Sequence, residues 1–175
     1  MRTFLIATTA LALLAACTPP ASQQERPDAP PAPDVIACND VAPNAARQIG
    51  VEDAAAAATA VSDLRGGAIT PGVYDLVRAT RLGSATGWRG TRAVALAVSE
   101  DETGAVSFNW AGAAPGGEID RWTATFTDTP EPRMTYTCGR AGDVPAEFAA
   151  TATSLQLRLP DGANGRLAMD FERRP

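Results

Sequence analysis

Histidine is absent from the 175 residues, and lysine with it: all 15 basic residues are arginine. Without histidine, Ser-His-Asp and Cys-His catalysis, the common zinc sites and a histidine-based pH switch are excluded. No apolar run reaches the about twenty residues that a membrane-spanning helix needs. Basic charge is also short, because 20 acidic residues leave a net charge of −5 and a pI near 4.7. The basic face required for nucleic-acid binding is therefore missing, and no nucleic-acid partner is expected. Lysine-free, Ala- and Arg-rich usage points to a GC-rich bacterial genome, which concerns codons rather than chemistry. What is present, 45% hydrophobic residues, suffices for one domain with a core and leaves too little chain for two.

Arg2 precedes an apolar stretch from Thr3 to Ala16, which at about fourteen residues has the length of a signal-peptide core. It ends Leu14-Ala15-Ala16-Cys17, which resembles the lipobox of bacterial lipoproteins. The resemblance implies cleavage after Ala16, a diacylglycerol thioether on Cys17 and acylation of the new amino group. Each buried methylene contributes about 0.8 kcal/mol, so three chains would hold the protein on the membrane. Thr18 stands where Asp marks inner-membrane retention in that family. An outer-membrane lipoprotein facing the periplasm of a Gram-negative bacterium is thus implied. The competing reading is an ordinary signal peptide with an incidental Cys.

From Thr18 to about Val35 the chain is rich in proline (Pro19, Pro20, Pro27, Pro30, Pro31 and Pro33) and carries no apolar period. Such a segment favours polyproline II, and at about 3.1 Å per residue it would act as a tether of roughly 50 Å. With Cys17 lipidated, Cys38 and Cys138 remain as an even pair in an oxidising compartment, which predicts one structural disulfide. A redox-active pair is the alternative, but there is no Cys-x-x-Cys spacing and no neighbour that would stabilise a thiolate.

Residues 44–65 are the one stretch with helical period: Val51, Ala54, Ala58, Val61 and Leu64 recur at three- and four-residue steps. Glu52 and Asp53 suit a first turn and Gly66-Gly67 a stop. An Ala-rich linker is the competing reading. Beyond Gly67 the period becomes two. Inner rows are expected at Val94-Leu96-Val98, Val106-Phe108-Trp110, Trp122-Ala124-Phe126, Met134-Tyr136-Cys138, Leu155-Leu157-Leu159 and Leu167-Met169-Phe171. Turn signals separate them at Glu100 to Gly104, Pro115-Gly116-Gly117, Asp128-Thr129-Pro130 and Asp161 to Gly165. Further strands are expected over 73–81 and near 147–151. The expected fold is mainly β: an antiparallel up-and-down meander of seven to eight strands, closed into a small barrel, with one short N-terminal helix. The expected organisation is a signal peptide over 1–16, the lipidated Cys and tether over 17–37, a Cys plus Ala-rich helical segment over 38–67 and a β-barrel domain over 68–175.

Gly72-Val73-Tyr74, opening the first long strand, resembles the Gly-x-aromatic signature of lipocalin-like (calycin) barrels, with Tyr74 in place of that family's Trp. The resemblance implies a lipocalin-like barrel and a partner Arg on the last strand, at Arg166 or Arg173. It also implies a long loop at the open mouth, after the first strand. That loop carries Trp88, Arg89 and, just beyond, Arg92, which become candidate ligand or partner contacts.

Chemistry beyond binding finds little support. No spacing singles out a pair of carboxylates for hydrolysis. Glu100 to Gly104 and Asp161 to Gly165 are short echoes of calcium loops that hairpin turns explain better. No serine has an activating context. No catalytic residue, metal or cofactor is therefore expected. Two classes of function stand: a packed structural or interaction barrel contacting an envelope protein, inhibitor-like in one version, or a binding module for an apolar small molecule or lipid. Inner rows almost devoid of polar groups favour the first.

Overall fold

The computed structural model describes residues 37–54 and 64–175. The signal peptide, Cys17, the Pro-rich tether to residue 36 and positions 55–63 of the expected helix lie outside the described residues. Val35–Pro175 form one compact unit.

Ten strands follow one another: β1 (Ile49–Asp53), β2 (Gly72–Gly83), β3 (Thr91–Glu100), β4 (Val106–Ala113), β5 (Ile119–Thr127), β6 (Arg133–Cys138), β7 (Asp143–Pro145), β8 (Glu147–Ala150), β9 (Ser154–Pro160) and β10 (Gly165–Arg173). They form one mixed sheet in the order β7-β6-β5-β4-β3-β1-β2-β10-β9-β8, with β2 also paired to β3. The period-two rows face a common core: Leu96, Phe108, Ala124, Met134, Leu155 and Phe171 are all fully buried. Rings from distant strands meet across it. Phe126 of β5 lies 5.0 Å from Phe148 of β8, and Trp110 of β4 lies 6.3 Å from Phe171 of β10. The sheet is therefore strongly coiled.

Three expectations need correction. The helix over 44–65 is not formed in its described part; residues 49–53 are β1, and no helix occurs among the described residues. The reason lies in the neighbours. β2 and β3 pair only through Gly72–Asp75 and Ala95–Val98, then diverge. Into that fork runs β1, antiparallel to β3 at Ile49 and Gly50 and parallel to β2 from Val51 to Asp53. It supplies partners that the diverging backbones would otherwise lack. A two-toothed ion pair fixes its end: Arg81 Nε and Nη2 donate to Asp53 at 2.8 and 2.9 Å.

The closed barrel of seven to eight strands is instead a ten-stranded coiled sheet with two ends, β7 and β8, between which no ladder forms. A single residue, Ala146, separates these two strands in the chain. Ala146 donates its N–H to Pro132 O at 2.9 Å on the β6 side. Because successive strand residues point their N–H groups to opposite edges, the nitrogen of Pro145 faces the β9 side, where proline has no hydrogen to give. The β8–β9 ladder accordingly stops at Glu147 and Arg158, and a seam opens between β7 and the end of β9. The free edge of β8 is covered by the incoming chain, as Gly66 N donates to Phe148 O and Ala150 N to Gly66 O.

Third, Cys138 does not share the inner row of Met134 and Tyr136. Tyr136 pairs with Ala124 but Cys138 with Thr123, leaving Thr137 as an extra residue. This bulge turns Cys138 to the outer face, where it is bonded to Cys38 with Cα atoms 5.5 Å apart. Residues 37–48 run along that side. Asn39 donates its amide to Trp110 O and Trp122 O at 3.2 and 3.1 Å, and Arg121 donates to Val41 O. The outward-facing Ala93, Ala95 and Ala111 are buried as well. Arg158, expected to face water, is 8% exposed and donates to Glu147 at 2.6 Å.

Candidate functional site

Beside the open seam lies a cavity of about 250 Å³. Its apolar wall is Val144 of β7, Leu159 of β9 and Leu167 and Met169 of β10. Its aromatic wall is made by Trp88, Trp110, Trp122 and Tyr136, so every tryptophan in the chain borders this one space. Arg92, Asp120, Arg140 and Asp161 bring charge to it.

Local sequence explains how each group is placed. Trp110 and Trp122 occupy opposite positions of the β4–β5 ladder, so their side chains emerge on the same face and stack, with centroids 5.3 Å apart and planes 11° from parallel. Tyr136 meets Trp122 edge-on at 5.2 Å. Asp120 stands two residues before Trp122 and on the same face, opposite Gly112. A Cβ on Gly112 would come within 2.7 Å of Asp120 Oδ1 and 2.9 Å of Trp110 Nε1. The missing side chain thus leaves room for the indole N–H of Trp110 to donate to Asp120 at 3.1 Å.

The other oxygen of Asp120 faces two guanidinium groups, Arg92 at 3.3 Å and Arg140 at 3.8 Å. Both guanidiniums also lie over rings. Arg92 is 6.0 Å from the Trp88 centroid, and Arg140 is 5.7 Å from Trp122 and 5.9 Å from Tyr136, within the range of cation–π attraction. Arg140 reaches this position because the bulge at Thr137 and the disulfide at Cys138 fix the turn that precedes it.

Trp88 belongs to the loop between β2 and β3, and that loop is tied down at several points. Gly87 N donates to both oxygens of Asp161 at 2.9 and 3.0 Å, Arg81 donates to Trp88 O at 3.3 Å, and Val51 N of β1 donates to Gly90 O at 3.1 Å. The result is a loop tryptophan only 6% exposed. Two indole donors among the residues of its aromatic wall lack partners. The Nε1 atoms of Trp88 and Trp122 are buried and meet no acceptor among the described residues, an arrangement that costs about 1–3 kcal/mol per group when nothing fills the need.

Of the contacts expected from sequence, Trp88 and Arg92 border the cavity, whereas Arg89 is exposed and does not. Trp110 and Trp122, expected to pack, both pack and line it. Asp120, Tyr136 and Arg140 were not singled out by sequence. The signal for Asp120 was its phase with Trp122 and Phe126; Arg140 follows a bulge that no pattern announces. At the opposite end, Tyr74 is buried and donates to Thr70 O at 2.6 Å. Arg173, rather than Arg166, is its cross-strand neighbour, packed where a Cβ on Gly72 would stand 2.6 Å from its Nε.

The two loops that echoed calcium sites are accounted for internally. Asp101 accepts from Thr103 N, Thr103 Oγ1 and Ala105 N at 2.8, 2.6 and 3.0 Å, and Asp161 holds Gly87. Among the described residues no group of three or more His, Cys, Asp or Glu could hold a metal ion.

No protein-family model and no curated protein matches the chain. Among solved structures the chain is similar to a de novo designed fluorescence-activating β-barrel, with 12% identity, a TM-score of 0.41, and coverage of 60% of this chain and 94% of that one.

Proposed function

We propose that this chain is a non-catalytic binding module of the cell envelope. It would be held to the membrane by lipid on Cys17 and a Pro-rich tether, and would take a small molecule into the aromatic cavity beside the seam. The observation that carries the reading is the gathering of three tryptophans, Tyr136 and the Asp120–Arg92–Arg140 cluster around one space with an aliphatic wall. Small-molecule sites combine an apolar lining with a few placed polar groups. These polar groups come from the ends of strands and a bulged turn, which is why inner rows that look uniformly apolar do not count against binding.

A second reading, an interaction barrel that contacts an envelope protein through its loops, draws support from the filled interior below the cavity. There Phe108 and Phe126 stack at 5.2 Å and Leu76, Leu96 and Phe171 are almost wholly buried. Native mass spectrometry of the full chain, gently extracted from membranes, separates the two. A recurrent low-mass adduct that is lost on Trp122→Ala supports the binding module. A bare chain in every preparation, or an adduct indifferent to that substitution, overturns it in favour of the interaction barrel.

A further inference from the structure

We infer that the cavity selects a small planar anion, an aromatic carboxylate in the simplest case, with Arg140 as its charge partner. The inference rests on the binding reading above and specifies the ligand's chemistry.

Charge comes first. Asp120 already accepts from Trp110 at 3.1 Å and from Arg92 at 3.3 Å. Arg140 sits 3.8 Å from the same carboxylate and makes no hydrogen bond among the described residues, and its side chain is half exposed. A guanidinium offers five donors in a planar fork that matches a carboxylate. Two guanidiniums that share one carboxylate leave room for a second anion, and Arg140, which spends no donor on a hydrogen bond among the described residues, is the freer of the two.

The ring faces point the same way. In a cage built for a quaternary ammonium group, the ring faces await a cation. Here Arg92 and Arg140 already lie over Trp88, Trp122 and Tyr136, so a cationic ligand would meet two like charges. The N–H groups of Trp88 and Trp122 are buried without a partner among the described residues. Indole nitrogen donates and never accepts, so neither ring edge offers an acceptor to a cationic or donor-rich guest. The side chains that carry them are 6% and 2% exposed.

Size and shape follow from the walls. The volume of about 250 Å³ lies just below the about 300 Å³ at which drug-sized pockets begin and equals the share of roughly eight liquid waters. A single substituted ring fits that space, and an acyl chain of membrane length does not. Flat aromatic walls favour a flat guest by offset or edge-on ring contact.

The test uses the full chain in detergent and three probes of similar shape, benzoate, benzamide and benzyltrimethylammonium, titrated at fixed ionic strength. Binding is read from tryptophan fluorescence and checked by calorimetry. Benzoate is expected to bind about tenfold more tightly than benzamide, the scale of one charge-assisted hydrogen bond, with benzyltrimethylammonium weakest. Arg140→Gln, with its unfolding midpoint measured alongside, should lower benzoate affinity about tenfold and leave benzamide unchanged. Equal binding of benzoate and benzamide, tighter binding of the ammonium probe, or indifference of benzoate to Arg140→Gln overturns the anion inference while the binding reading stands. Failure of all three probes to bind the folded chain overturns both.

Discussion

Trp110 and Asp120 are joined by a 3.1 Å hydrogen bond that exists because residue 112 has no side chain. The contact ties the β4–β5 hairpin to the cavity rim, since the same carboxylate gathers Arg92 and Arg140. Gly112→Ala should push the two groups apart and destabilise the fold by about 1–3 kcal/mol, the usual cost of overpacking. Asp120→Ala should cost a similar amount, about 1–3 kcal/mol, by leaving the indole donor unmet. Urea unfolding followed by tryptophan emission measures both, and a Gly112→Ala protein as stable as the parent would contradict the geometry.

The Trp88 loop depends on Asp161. Asp161→Ala removes both oxygens that Gly87 N–H reaches. The expected outcome is a loss of about 1 kcal/mol with a red-shifted emission as Trp88 meets water. Deletion of the loop's anchor should also weaken binding of any cavity ligand, measurable by the same titrations.

Reduction of the Cys38–Cys138 bridge, or Cys138→Ser, should lower the thermal midpoint sharply. The bridge closes a sequence separation of 100 residues, for which the chain-entropy view gives about 4.7 kcal/mol. Calorimetry with and without reductant measures the loss. Because Arg140 follows Cys138 by two residues, the variant should also bind benzoate less well at temperatures where it remains folded.

Alkaline pH should weaken the fold through Tyr74. Burial raises its phenol above the ordinary value of 10.0, against a smaller opposing pull from Arg173. The neutral phenol is thus the native form. Its contribution is complete below pH 10 and is lost as pH rises through the raised value of the folded state. Tyr74→Phe removes the 2.6 Å bond to Thr70 O, should cost about 1 kcal/mol, and should flatten the alkaline limb of a stability–pH curve.

Membrane attachment is tested at Cys17. Cys17→Ser should abolish detergent partitioning and leave the chain uncleaved or soluble. Unchanged partitioning would remove the lipid anchor from the proposed function.

The long strands were legible because bulky apolar residues recur at every second position: Val94, Leu96 and Val98, and Leu155, Leu157 and Leu159. β1 and β7 were not. In Ile49–Asp53 the apolar residues Ile49 and Val51 fit period two, but Val51 also begins the series to Ala54 and Ala58 that reads as a helix. The deciding fact is the fork between β2 and β3, which is tertiary. Asp143–Pro145 is too short for any period, and its proline argued against a strand unless the strand lies at the end of a sheet. The site suffered for the same reason. Trp88 and Arg92 stood out, whereas Arg140 became visible only after a one-residue bulge turned the end of β6.

The ladder that joins β2 to β10 bears on how the chain folds. Its partners, such as Arg78 and Asp170, are 92 residues apart, while the ladders from β3 to β7 and from β8 to β10 join neighbours in sequence. Two local meanders can therefore form early, and the ladder between first and last long strands must close a large loop before it gains anything. Until β10 has emerged, the edge of β2 that it will cover stands open to other chains. Aggregation during synthesis should accordingly be governed by the last nine residues of sheet to appear, Gly165–Arg173, rather than by the greasier strands that precede them.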